Sequence, residues 1–338
     1  MTTRREAFSL VALLGLGAPA VAGCSSLPRI LGSGSGRWAS DLLERVDPAA
    51  AGASPVATFT ATRPRAIAEL LGLADVTGTP DATSAPARYR VIEASYPMIL
   101  RGAPTGGTGS PMDGEVLFTP VHAVNVAGSV DASLALWTEA AEAFDHLEDA
   151  LAGSYERDGD ELRLREDHPM AEHMGQLRII LDGQDIAVTG AEDPGDVLDT
   201  GSSFAEAFTD LDELLSAVDV SDPHVLTGTH PSTEIPFGSG GGKILEWVYA
   251  TAMEDEQAQT THGAIRVDGD AAGLRDLVLE GAGETTSSTL QPTEVEVDGD
   301  LLHLVLEPPA DAAQPGSDPV ATFYLSLPEA MGPGVPIG

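Results

Sequence analysis

Three Asp-Gly pairs, Asp158-Gly159, Asp182-Gly183 and Asp298-Gly299, each sit between two short runs rich in apolar and β-branched residues. Gly reaches positive φ at no steric cost and Asp tolerates it, so Asp-Gly between two such runs is a hairpin signal. The spacing predicts hairpins over Tyr155–Arg165, Leu177–Val188 and Glu294–Leu306, with a type I′ turn at Asp158-Gly159. A short turn of this kind joins its strands antiparallel. The long alternating βαβ segments that build a parallel doubly wound sheet are not read here.

The segments between the hairpins predict the remaining elements. Helical spacing of Leu134, Trp137, Ala141, Phe144, Leu147 and Leu151 marks Asp131–Leu151 as the strongest helix. Further helices are expected over Arg37–Val46, Pro64–Leu73, Phe204–Val218, Lys243–Met253 and Asp270–Leu279, the second with Pro near its start and Gly72 near its end. Strands are expected over Val56–Thr62, Arg88–Leu100, Glu115–Val126 (one or two), His224–Thr229, Ala264–Val267 and Val320–Leu327. Helices alternating with antiparallel hairpins define an α+β class. Asp131 and Asp270 are 139 apart, Asp158 and Asp298 are 140 apart, and the helices near Pro64 and Phe204 are 140 apart. A near-constant offset is the mark of an internal duplication. The expected architecture is two duplicated units of antiparallel sheet with helices packed on one face, built around Trp137, Phe144, Trp247 and Leu277. The units are residues 38–200 and 201–338, preceded by an export signal over 1–23 and a tether over 24–37.

The 338 residues carry 53 acidic and 17 basic side chains, a formal net charge of -36, and Lys243 is the only lysine. The acids run along the whole chain, so the entire surface is acidic rather than one disordered arm. Such a surface repels itself in dilute buffer and needs counterions to stay compact, the situation of a halophilic protein. It also repels a phosphate backbone, which argues against a nucleic-acid partner. Apolar residues at 42% are enough for a sizeable core. The single Cys excludes a disulfide framework within the chain and a thiolate metal cluster.

That Cys stands in a particular place. Arg4-Arg5 open the chain, an apolar run follows from Ser9 to Ala22, and Gly23-Cys24 close it. A charged start, a short apolar run and small residues at its end are the parts of a signal peptide, and the run is too short for an ordinary membrane span. Paired arginines mark the twin-arginine export route. The stretch resembles the signal of twin-arginine-exported lipoproteins, and Val21-Ala22-Gly23-Cys24 resembles their lipobox. Ala7 stands where that export motif usually has Phe, with Phe8 beside it. The resemblance implies that Cys24 becomes the first residue of the mature chain and carries a two-chain lipid, so that the partner at this end is membrane lipid. One acyl chain binds a membrane only marginally, whereas two hold it stably. Gly32-Ser33-Gly34-Ser35-Gly36 follows as a flexible tether.

The exported part is similar to a loose group of secreted or lipid-anchored prokaryotic proteins, many of them haloarchaeal, to which no activity is attached. The pattern is a strand, a small-residue step to Asp (Val126-Ala127-Gly128-Ser129-Val130-Asp131), a helix, a Tyr-to-Asp hairpin (Tyr155 to Asp160), and an Ile-Ala-Val strand (Ile186 to Val188) before a further helix.

Motifs that bear chemistry fall short of their requirements. His168 and His173 are five apart with Pro169 between them, so they do not share a helical face as metalloprotease ligands do. His224 and His230 flank a strand with Glu234 nearby, a loose metal set whose simpler reading is surface residues. Gly238-Ser239-Gly240-Gly241-Gly242-Lys243 has Phe237 and Ile244 where a phosphate loop needs Gly and Ser or Thr, and reads as a linker into a helix. Asp268-Gly269-Asp270 opens like a calcium loop, but Ala272 and Leu279 fill two ligand positions, leaving a turn and a helix cap. Neither a Gly-x-Ser-x-Gly elbow nor an Asn-glycosylation acceptor occurs; Asn125 is the only Asn. Thr285 to Thr289 is read as an exposed loop.

These readings nominate no catalytic, cofactor or metal residue. The expected function is that of a lipid-anchored protein of the outer membrane face, non-catalytic, binding a partner or serving the envelope. The alternatives are an extracytoplasmic hydrolase or metal-dependent enzyme with a site assembled from distant residues, and a solute-binding lipoprotein of a transporter.

Overall fold

The computed structural model describes residues 36–46, 57–78, 111, 113–129, 132–168, 178–189, 203–218, 220–231, 235–237, 242–253, 259–282 and 291–307. The chain divides into two compact units, the first formed by residues 39–207 and the second continuing from Phe208. Both are antiparallel sheet with a few helices, an α+β architecture. The expected strands at Arg88–Leu100 and Val320–Leu327 lie outside the described residues, as do the signal and all of the tether before Gly36.

The first unit contains α1 (Arg37–Leu43, from Ala39 on), β1 (Ala57–Thr62), α2 (Pro64–Leu70), α3 (Gly114–Leu117), β2 (His122–Ser129), β3 (Ala132–Thr138), α4 (Ala141–Leu151), β4 (Tyr155–Asp158), β5 (Glu161–Leu164), β6 (Arg178–Asp182) and β7 (Asp185–Thr189). Its strands pair in the order β1-β2-β3-β7-β6-β5-β4, every neighbour antiparallel. Phe59, Ile67, Leu117, Leu134, Leu136, Trp137 and Phe144 are fully buried in its core.

The expected helix over Asp131–Leu151 is a strand and then a helix. Leu134, Ala135, Leu136 and Trp137 are all buried, because β2 and β7 flank β3 and both of its faces are covered. A strand buried on both faces reads as a continuous apolar run, which imitates helical spacing as readily as it hides alternation. Glu139, at φ 50, ends the strand, and α4 starts two residues later. The start of the expected strand over Glu115–Val126 is likewise the short helix α3. Gly114 is required there: a Cβ would lie 2.1 Å from Val76 O, and its own N–H bonds Gly78 O at 2.9 Å.

The second unit contains α5 (Leu211–Ala217), β8 (Val225–His230), β9 (Ile235–Phe237), β10 (Gly242–Met253), β11 (Gln259–Asp268), α6 (Ala271–Ala282), β12 (Gln291–Asp298) and β13 (Leu301–Glu307). The order is β12-β13-β11-β10-β8, with β9 also on β10, again antiparallel throughout. The expected helix over Phe204–Val218 is a 3₁₀ turn (Phe204–Ala207) followed by α5. Asp210 divides them, its Oδ1 accepting Glu213 N at 2.9 Å as an N-cap. Asp270 Oδ1 accepts Gly273 N at 2.9 Å, the helix cap expected of that position.

The expected helix over Lys243–Met253 is the strand β10. Ile244, Trp247, Val248, Tyr249 and Thr251 are β-branched or aromatic, and Glu246 to Thr251 are buried without interruption between β8 and β11. Opposite Tyr249 stands Gly263, where a Cβ would meet the Tyr249 ring at 2.6 Å, so the ring occupies the space of the missing side chain.

All three Asp-Gly hairpins form. The strands pair Asp158 with Glu161, Asp182 with Asp185 and Asp298 with Leu301, which makes Gly the first residue of each two-residue loop. Gly159, Gly183 and Gly299 have φ of 65, 63 and 65, and the residue after each is not in the positive-φ region. This is the sign pattern of a type II′ loop, in place of the type I′ turn expected at Asp158-Gly159.

Helices α4 and α6 begin at Ala141 and Ala271, 130 apart rather than 139, so the constant offset does not extend to them. In each unit, however, the strand before the helix pairs with the unit's last described strand, which closes the hairpin that follows.

Candidate functional site

Cys24, Arg4 and Arg5 lie outside the described residues, as do His173, Glu234 and Gly238 to Gly241. His168 is half-buried at the end of the β5 connection. His224 and His230 are not brought to one ligand set: His224 Nδ1 accepts Met253 N at 3.1 Å, while His230 turns to a carboxylate on β10. Two sites emerge that sequence spacing did not single out, one in each unit.

In the second unit a β-bulge makes the site. The register runs Ile244 to Val267 and then Glu246 to Arg266, leaving Leu245 as the extra residue. Without the bulge Glu246 would share the face of Ile244; with it, Glu246 moves to the face of Arg266. The Glu246 side chain is fully buried. Its Oε1 accepts Arg266 Nε at 2.8 Å and its Oε2 accepts Thr209 N at 2.9 Å. His230 Nδ1 lies 3.2 Å from Oε2, and the His230 ring meets Phe208 edge-on at 6.2 Å. Arg266 spends its other nitrogens on Glu213 Oε2 at 2.6 Å and Asp300 Oδ2 at 3.1 Å. Burial alone would raise the Glu246 pKa, but His230, the Thr209 N–H and Arg266 outweigh it and hold the carboxyl below its ordinary value. The Arg266 guanidinium is held charged, since its three carboxylate partners overcome the opposing effect of burial. One guanidinium thus ties β10, β11, α5 and the β12–β13 loop together, with each of its three nitrogens on a carboxylate. That arrangement positions backbone, and His230, about one-third exposed, is held against the buried carboxylate through Nδ1.

The first unit carries a cleft of about 500 Å³ lined by Arg65, Glu69, Thr119, Glu139, Glu142 and Gln184, among others. Arg65 on α2 donates from Nε and Nη2 to Thr119 O at 3.1 and 2.6 Å, and from Nη2 to Glu139 O at 3.3 Å. Asp185 Oδ1 accepts Glu139 N at 2.9 Å, and Gln184 O accepts Ala140 N at 2.7 Å. These bonds hold Glu139 at φ 50, a left-handed conformation that costs a non-Gly residue of order 1–3 kcal/mol. Three carboxylates and one guanidinium line the cleft, so it favours a positively charged guest over an anion. His122, at the start of β2, has its pKa lowered by burial and by the charge of Arg63, with Glu139 opposing.

No family model matches the chain, and no curated protein and no solved structure matches it.

Proposed function

We propose that the chain is an exported lipoprotein, held on the outer face of a cell membrane by lipid on Cys24, whose acidic α+β units act there as a non-catalytic binding or structural element in a high-salt medium. The observation that carries this reading is Val21-Ala22-Gly23-Cys24 at the end of the apolar run that follows Arg4-Arg5. Loss of residues 1–23 removes two Arg and one Glu and leaves a net charge of -37, which an anionic membrane surface repels. Retention at the membrane then depends on the lipid. The cleft beside Arg65 and Glu139 supports a binding role over a purely structural one. The strand order common to the two units supports an internal duplication in which β1, β2, β3 and α4 correspond to β8, β10, β11 and α6, a different correspondence from the expected match of the helices near Pro64 and Phe204.

Mass spectrometry of the N-terminal peptide from detergent-extracted membranes is the direct test. The expected peptide starts at Cys24 with a lipid mass on its sulfur. Cys24→Ser should release the protein to the medium or leave an unprocessed precursor. A processed Cys24→Ser protein that stays on salt-washed membranes would overturn the lipid anchor.

A further inference from the structure

The cleft of the first unit holds charges of both signs that its own residues leave unmatched. Arg65 is the one cation among its lining side chains. Its Nε and Nη2 are committed to Thr119 O and Glu139 O, whereas Nη1 makes no hydrogen bond among the described residues and has Glu139 Oε2 as its ion partner only at 4.0 Å. Glu69 stands one turn from Arg65 on the same face of α2, and Glu142 lies in the first turn of α4. Neither of these two carboxylates has an ion-pair or hydrogen-bond partner among the described residues.

The frame around these groups is fixed by the chain itself. Asp185 holds the Glu139 N–H at 2.9 Å and is in turn paired with Arg45, while Arg65 Nη2 holds the Glu139 carbonyl at 3.3 Å. Ala140 N and Ala141 N both donate to Gln184 O, at 2.7 and 3.1 Å, so these N–H groups at the start of α4 are not open to an anion. Arg65 Nη1 is the charged donor that remains. A cleft of about 500 Å³ has room for an organic molecule rather than a bare ion.

We infer that this cleft binds a free basic α-amino acid, of the lysine or ornithine class. The inference deepens the binding role proposed above and rests on it. Charge balance selects the class, because three carboxylates face one guanidinium. A basic amino acid brings one carboxylate for Arg65 Nη1 and two ammonium groups for Glu69, Glu139 and Glu142. A simple diamine would leave Nη1 unmatched and set a like charge beside it. An amino acid with an apolar side chain would leave the excess carboxylates unmatched, and a dicarboxylate would be repelled by them. Preset walls lower the cost of ordering on binding, which lets charges this open to solvent discriminate among guests.

Equilibrium dialysis of the full mature chain against labelled L-lysine in molar KCl tests the inference. L-Lysine should bind. Cadaverine, which lacks the carboxylate, and norleucine, which lacks the side-chain ammonium, should each bind at least about fivefold more weakly, the upper range for one exposed charge pair. Glu69→Gln/Glu142→Gln should weaken lysine binding at least about fivefold with an unchanged far-UV circular dichroism spectrum, since both side chains are exposed. Arg65→Gln should bring lysine down to the level of cadaverine, and the acid variant carries the test if the Arg65 variant fails to fold. No lysine bound at millimolar concentration overturns the inference. So does cadaverine or norleucine binding as tightly as lysine, or an affinity indifferent to the double Gln variant. The lipid on Cys24 is read separately by mass spectrometry. A lipidated chain that binds no lysine therefore overturns the ligand assignment alone, and an unlipidated chain that binds lysine overturns the anchor alone.

Discussion

Glu246 is a carboxylate with no access to water whose charge is tolerated because Arg266, His230 and the Thr209 N–H surround it. Removing one member of a buried pair costs about 3–5 kcal/mol, because the other is left buried and unmatched. Arg266 keeps Glu213 and Asp300, so Glu246→Gln should cost about 3 kcal/mol, the low end of that range, read from the urea midpoint of the second unit. The sign with pH follows from the depressed pKa. Stabilisation from Glu246 is complete above the ordinary value of 4.5 and disappears as pH falls through the lower folded value, so Glu246→Gln should flatten the acid limb of the stability curve below pH 4.5. His122 also loses its contribution as pH falls, but because the fold favours its neutral form rather than a charged one. Its lowered pKa means the folded chain prefers the neutral ring, so stability is complete above 6.5 and declines as pH falls from there through the folded value. His122→Gln should remove that decline, measured as the melting temperature of the first unit between about pH 7 and pH 5. Neither residue was legible as special in the sequence. Glu246 reaches Arg266 only through a bulge, and a one-residue insertion in a register leaves no mark in residue spacing.

At the scale of elements, the hairpins were readable and the long apolar segments were not. Asp-Gly is a local signal: the loop needs a residue at positive φ, and Gly provides it wherever the strands lie. At Gly183 a Cβ would meet nothing within 4 Å, so Gly183→Ala isolates the conformational cost, about 1–3 kcal/mol. At Gly263 the cost is steric, since the new Cβ would lie 2.6 Å from the Tyr249 ring in the paired strand. Gly263→Ala should destabilise by about 1–3 kcal/mol, the range for overpacking. The expected result in thermal unfolding is a loss for both, with Tyr249→Leu relieving only the Gly263 variant. Strands β3 and β10 failed as sequence readings for a shared reason. Each has a strand on both sides and both faces covered, and such a run lacks the alternation that identifies a strand with one wet face. Helices α4 and α6 keep a polar side, as Glu142, Asp145, His146 and Asp149 show on α4; both ends of α6 and the last residue of α4 lie within three residues of expectation, while the start of α4 lies ten residues later than expected.

For the whole molecule, charge decides the response to salt. Exposed pairs such as Arg163 with Glu161 and Arg157 with Glu148 weaken as salt rises, but surface pairs contribute little. Repulsion among 53 acids against 17 bases is the larger effect. Screening shortens the Debye length from about 10 Å at 0.1 M to about 3 Å at 1 M. The melting temperature by far-UV circular dichroism should therefore rise with KCl through the molar range, and full stability without salt would contradict the halophilic reading. The sequence by itself determined the antiparallel hairpins, the α+β class and the acidic surface, because turn geometry and net charge depend on a residue and its nearest neighbours. Only the tertiary structure decided that Ala132–Thr138 and Gly242–Met253 are strands, that Glu246 faces Arg266, and that Arg65 meets Thr119 and Glu139 at a cleft. Each of those depends on which strand lies alongside and in what register, and pairing between distant segments is set by burial that no local pattern records.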